Sequence, residues 1–129
     1  MISITTKSPY AIAALTELAR TPDQPVPVGE IARRRDIPAQ FLEQLVATLR
    51  RGGVLRSQRG VKGGYTLARA ADQISVLQVV ELLDGALPTG GDDVFAESAA
   101  AARAVLAGTT IADCLAREQD AAGGPMYYI

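Results

Sequence analysis

Residues 28–68 read VGEIARRRDIPAQFLEQLVATLRRGGVLRSQRGVKGGYTLA. The first eight form a short helical run with Ile31 and Ala32 on its inner side. Asp36 and Ile37 make a tight turn, and Pro38 opens a second helix. In that helix Phe41, Leu42, Leu45, Val46 and Leu49 recur at the 3.6-residue period, and Gly52-Gly53 ends it. A short helix, a turn and a longer second helix spell helix-turn-helix. The polar face of the longer helix offers Gln40, Glu43, Gln44, Thr48 and Arg51, side chains of the kind that read base edges or hold phosphates. Residues 54–58 and 65–68 have strand composition. They flank Arg59-Gly60-Val61-Lys62-Gly63-Gly64, a glycine-rich loop with two cations. A hairpin directly after a helix-turn-helix is a wing. Its glycines permit positive φ and close backbone approach, and Arg59 and Lys62 reach toward phosphates or a minor groove. The loop lacks the strand-to-helix G-x-x-x-x-G-K-[ST] pattern of a nucleotide-phosphate site.

Upstream, Ser8 is expected to cap a helix that Pro9 opens, with Tyr10, Ala11, Ala14, Leu15 and Leu18 at helical spacing. The prolines at 22, 25 and 27 break it. Downstream, Ser75 to Gln78 forms a capping box before Val79, Val80, Leu82 and Leu83, and Gly85 closes that helix. The expected domain organisation is a winged helix-turn-helix over 1–85 and a hinge loop over 86–93. A dimerisation helix from 94 to 107 and a short helix ending near 119 follow, and then a tail over 120–129. Along the alanine-rich helix Phe95, Ala99, Ala102 and Leu106 form one seam with Val105 beside it, and small residues let a second helix approach closely. The apolar end Met126, Tyr127, Tyr128 and Ile129 is expected to dock on a surface. The fold class is therefore mainly α, with a small β-hairpin wing and a C-terminal dimerisation helix.

The sequence has 129 residues, 48% apolar and 21% charged, with one cysteine and no histidine, so a disulfide-stapled module and most metal, haem or histidine-based catalytic chemistry are excluded. No signal peptide or membrane span is expected, and a reduced cytoplasmic protein follows. The net charge of −1 hides a split. Residues 1–70 carry eleven Lys/Arg against five Asp/Glu, a net of +6, whereas 71–129 carry two against nine, a net of −7. Six of the cations lie within 50–69 without an acid among them. That polarity is the footprint of a polyanion-binding front, or of a solvated basic face. With the helix-turn-helix and wing beside it, it favours nucleic acid. The competing reading is a winged-helix module that binds protein without DNA. A charge-rich front speaks against it, because interface cores are depleted in charge. No nucleophile–base pair or phosphate loop is present, so an enzyme is not expected.

The wording of several segments resembles the Rrf-two family of winged-helix transcription regulators, the IscR, NsrR and CymR type. The segments are Thr6 to Ala11, Glu30-Ile31-Ala32, Ile37 to Leu45, Leu49 to Leu55, the wing Arg59 to Tyr65, and Ile74 to Gly85. The resemblance implies a homodimer, most often a repressor, whose paired recognition helices enter successive major grooves of a palindromic operator on double-stranded DNA. It implies base reading by Glu43 and Gln44, with Gln40 near the start of the same helix, and minor-groove entry by Arg59. Phosphate or sugar contacts are implied for Lys7, Ser8, Tyr10, Phe41, Thr48, Arg50, Arg51, Ser57, Lys62 and Tyr65.

Cluster-binding members of that family share a three-cysteine run after the fourth helix, and residues 86–102 here contain no cysteine. No iron–sulfur cluster, metal or other cofactor is therefore expected. Cys114 is read as a small buried hydrophobe beside Ile111 and Leu115, or alternatively as a redox thiol. An unidentified small-molecule effector, bound between the winged unit and the 94–107 helix, is a further open partner.

Overall fold

A computed structural model of the chain describes residues 6–86 and 91–123. The expectations for residues 87–90 of the hinge and for the docking of Met126, Tyr127, Tyr128 and Ile129 lie outside the described residues. The elements run α1 (Lys7–Ala19), α2 (Val28–Arg35), α3 (Ala39–Arg51), β1 (Leu55–Gln58), β2 (Gly64–Leu67), a 3-10 turn (Ala71–Gln73), α4 (Val76–Asp84), α5 (Val94–Ala107) and α6 (Ile111–Gly123).

The apolar periodicity of each segment becomes one core. Ala11, Ala14, Leu15 and Leu18 of α1 meet Ile31 of α2, Leu42, Leu45, Val46 and Leu49 of α3, and Val54, Leu55, Ile74, Val79 and Ile111. Each such Leu or Ile stabilises the fold by roughly 1.5–3 kcal/mol relative to leaving it in water. α2 ends at Asp36, whose left-handed backbone (φ 54°) turns the chain into α3, and the Ile37 amide donates to the Ala32 carbonyl at 2.9 Å. Asp tolerates that conformation better than most non-glycine residues. β1 and β2 pair antiparallel with Leu55 opposite Leu67 and Ser57 opposite Tyr65. The pairing continues past the strands, since the Ala68 amide donates to the Val54 carbonyl at 2.9 Å.

Four expectations change. Ser8 does not cap α1. It is 2% exposed and its hydroxyl donates to Asp84 Oδ2 at 2.5 Å, tying the start of α1 to the end of α4. Helix α1 begins at Lys7, so Pro9 falls within its first turn, where no N–H has an intrahelical partner to lose. Helix α6 runs to Gly123 instead of stopping near 119, so 120–123 are helix and not tail. It packs along α1 and against the 3-10 turn, and Ile111 enters the main core, which makes α6 part of the winged unit's framework.

The fourth change concerns the α5 seam. Ala99 is 2% exposed, and Leu106 packs against Val76, Leu77 and Val80. Arg103 on the same side pairs with Glu81 of α4 at 2.9 Å. Ala99 and Leu106, with half-buried Ala102, therefore serve the protomer's own packing. Phe95 and Val105 remain 63% and 64% exposed, next to exposed Val94, Ser98 and Ala101. At 100° per residue, Val94, Ser98, Ala101 and Val105 share one stripe, apolar except for the small Ser98 hydroxyl. One helix thus has two largely apolar faces, and α4 takes one of them.

Candidate nucleic-acid interface

The exposed polar face of α3 is produced by the burial of its opposite side. With Leu42, Leu45, Val46 and Leu49 turned inward, Gln40, Glu43 and Gln44 are left exposed on the outer surface. Thr48 is half-buried, and its hydroxyl donates to the Gln44 carbonyl at 3.2 Å while accepting from Arg51 Nη2 at 3.3 Å. Lys7, Phe41, Gln44 and Thr48 line one cleft of about 220 Å³ where α1, α3 and α4 meet. Tyr10 and Phe41 stack edge to face with ring centroids 5.5 Å apart, so both are half-buried and act as a wall between α1 and α3.

The wing projects from the C-terminal side of α3. Its tip is a turn in which the Gly63 amide donates to the Gly60 carbonyl at 3.0 Å. Val61 stands fully in solvent, and Arg59, Lys62, Arg56, Ser57 and Arg69 are exposed. Tyr65 is half-buried, and its backbone forms an antiparallel bridge to Val26, with N–H···O distances of 2.9 and 3.1 Å. The wing is thereby pinned to the segment that enters α2. Of the implied contact residues, the structure brings Lys7, Gln40, Glu43, Gln44, Arg50, Arg51, Ser57, Arg59 and Lys62 to exposed positions. It withdraws Ser8 into the interior.

The charge split sharpens once the pairs are drawn. Arg33 and Arg34 both hydrogen-bond Glu30, and Arg34 and Arg35 reach Glu17. Arg35 also forks onto Glu118. These hydrogen bonds hold the Glu30 and Glu118 carboxyls below the usual carboxylate range and push the Arg33 and Arg35 guanidinium groups higher still. The three arginines of α2 are therefore neutralised within the protomer. Among the described residues none of Arg50, Arg51, Arg56, Arg59, Lys62 and Arg69 pairs with a carboxylate. Among the described residues, six of the cations without an ion pair thus cluster at the end of α3 and along the wing, beside the exposed polar face of α3, a placement suited to a phosphate backbone.

Cys114 is half-buried against Val76, Leu77 and Val80. Burial pushes its thiol up first, Arg117 pulls it down, and Asp113 and Glu118 add to the rise. Asp113 lies lower than usual because its carboxylate accepts from the Thr110 amide at 2.9 Å and is hydrogen-bonded by the Thr110 side chain; its own amide donates to the Thr110 hydroxyl at 3.1 Å, which completes a capping box for α6. Among the described residues no helix is long and apolar enough to cross a membrane.

A family model described as "Rrf2: Iron-dependent Transcriptional regulator" matches residues 4–106. The Synechocystis sp. protein slr0846, which carries the name of an HTH-type transcriptional regulator, is 48% identical over 96 residues, covering 71% of this chain and 65% of its own. The HTH-type transcriptional regulator IscR of Cereibacter sphaeroides is 38% identical over 86 residues, covering 64% of this chain and 56% of its own. The chain thus spans just over half to just under two thirds of these curated relatives. Among solved structures, T. potens IscR is 34% identical with a TM-score of 0.84, and the match covers 98% of this chain and 97% of that one. CymR, the global cysteine regulator of B. subtilis, is 29% identical with a TM-score of 0.82 over 91% of this chain and 98% of its own.

Iron dependence requires a ligand set. An iron–sulfur cluster takes about four thiolate or imidazole ligands. This sequence offers one cysteine and no histidine. That cysteine packs among aliphatic side chains, and no group of three or more potential ligands converges among the described residues. The residues present do not fit a cluster. Match length, helix-turn-helix, wing and structural likeness agree, and the chain belongs to the Rrf2 family of transcriptional regulators.

Proposed function

We propose that this chain is a sequence-specific DNA-binding regulator that acts in the cytoplasm as a homodimeric repressor on a palindromic operator, without an iron–sulfur cluster and without a catalytic step. The observation that carries this reading is the exposed face Gln40, Glu43 and Gln44, flanked by six cations that pair with no carboxylate among the described residues. Glu43 accepts from cytosine N4–H and Gln44 pairs with adenine. Arg59 enters the minor groove, and Lys7, Arg50, Arg51, Ser57 and Lys62 hold phosphates. Tyr10, Phe41, Thr48 and Tyr65 support the same strand from half-buried positions. The exposed stripe of α5 supports the dimer, and two-fold symmetry places the half-site centres about 10 bp or a multiple apart.

Selection of genomic fragments by the purified protein at near-physiological salt tests the reading. A palindromic site is expected, and Glu43→Ala should relax it at one base pair in each half-site, at a cost of about 1–3 kcal/mol per position. Binding that follows salt alone, with no site recovered, would instead favour the protein-interaction module.

The effector is a separate matter. A raised thiol pKa and aliphatic packing favour a structural Cys114 over a redox switch. Diamide is accordingly expected to leave operator binding by the wild type and by Cys114→Ser alike, whereas a loss seen only in the wild type establishes the redox switch. The shallow groove of about 350 Å³ formed by Pro9, Ile12, Val76, Val80 and Leu106 is the place for an apolar small-molecule effector.

A further inference from the structure

Arg35 is the last residue of α2, directly before the left-handed Asp36 that aims α3. It is 18% exposed and lies between two carboxylates from distant parts of the chain. Its Nε donates to Glu17 Oε1 of α1 at 2.9 Å, and its two terminal nitrogens donate to the two oxygens of Glu118 of α6, each at 2.8 Å. The second contact is a parallel fork, the geometry in which a guanidinium fixes direction as well as distance. Arg20, just past the end of α1, stands 3.9 Å from the same Glu118 carboxylate. Helix α6 is itself rigidly placed. Its start is boxed by Thr110 and Asp113, its Ile111 is fully buried, and the Ser75–Thr110 bridge joins it to the start of α4.

We propose that Glu118, in the acidic C-terminal part of the chain, is a positioning residue for DNA reading: through Arg35 it fixes the end of α2, hence the turn at Asp36 and the angle of the face that begins at Gln40. This deepens the reading under Proposed function and rests on it. Glu118 acts through Arg35, its carboxylate being engaged by that guanidinium and by Arg20. Its influence passes through one side chain into a turn only three residues long, where a small rotation displaces Glu43 and Gln44 from the base edges they meet. Because α6 follows α5 across residues 108–110, the clasp also joins the α5 face to the reading helix.

Two measurements on Glu118→Gln test the clasp. Operator affinity is expected to fall roughly 3- to 10-fold while affinity for random duplex does not fall, so the specificity ratio drops. Arg35→Lys, which keeps the charge and loses the fork, should give the same drop, and the double variant should be no worse than either single. A partly unfolded protein would instead lose both affinities together, and that result, or a ratio within twofold of the wild type, overturns the proposal. The second measurement needs no DNA. Hydrogen exchange at the Ile37 amide, bonded to the Ala32 carbonyl across the turn, should quicken by a similar factor in Glu118→Gln. Unchanged exchange at Ile37 also overturns the clasp. A wild type with no operator preference refutes the DNA reading alone and leaves the exchange result to decide the clasp.

Discussion

Val105→Glu is expected to yield a folded monomer whose affinity for a full palindromic operator is lower by roughly 10²- to 10⁴-fold, because the second half-site is no longer held at high effective concentration. Val105 is 64% exposed in the protomer, so a carboxylate there costs the isolated fold little. In a two-fold interface the same substitution appears twice and buries two unpaired charges against each other's surface. Ala99→Glu is the contrasting control. Ala99 is 2% exposed within the protomer, and a carboxylate in its place should destabilise the protomer itself. Sedimentation velocity and operator titration read both effects. A Val105→Glu protein that still sediments as a dimer places the interface elsewhere and removes the exposed stripe of α5 from the reading.

Gly64→Ala is the second large effect, this time on the wing. Gly64 has φ +148°, a conformation that costs a non-glycine residue about 1–3 kcal/mol. An added Cβ would also collide with the Val26 carbonyl carbon and lie 2.6 Å from the Pro27 nitrogen, both backbone atoms that cannot swing aside. The Val26–Tyr65 bridge must then open, and Tm should fall by on the order of 10 °C. Gly60→Ala separates the two causes, since Gly60 has φ +114° but nothing within 4 Å of the added carbon. It should cost only the backbone strain. Equal melting shifts for the two variants would show that the contact with Val26 is not what requires glycine at 64.

That pair of glycines shows what the primary structure conveys and what it leaves out. The wing reads from composition as a glycine-rich basic loop, and close backbone approach is rightly inferred. The backbone approached at Gly64, however, is the chain's own at Val26, some forty residues earlier, and no local pattern announces it. The elements themselves are legible because each is governed by short-range rules. The stripe from Phe41 to Leu49 requires one buried face, which leaves Gln40, Glu43 and Gln44 outside. The prolines at 22, 25 and 27 end α1, and Ala-rich 94–107 with Asp93 ahead of it forms a capped helix, the Asp93 side chain accepting from the Ala96 amide at 2.9 Å.

Three features depended on the packing. Periodicity places Ala99, Ala102, Leu106 and Val105 on an apolar helix, but only the tertiary packing separates the residues that turn inward from the stripe left exposed. Counting charge shows eleven cations in the first seventy residues, but whether Arg33, Arg34 and Arg35 face a polyanion is settled by Glu17, Glu30 and Glu118 lying within hydrogen-bond reach. Ser8 has the composition of a helix cap, and the proximity of Asp84 turns it into an interior tie. The sequence alone determined where most helices and the wing lie, which side of α3 is polar and how few cluster ligands there are, since these follow from residue type and spacing along one segment. Tertiary structure decided which faces are occupied and which charges are cancelled, since both depend on distances between segments up to 83 positions apart.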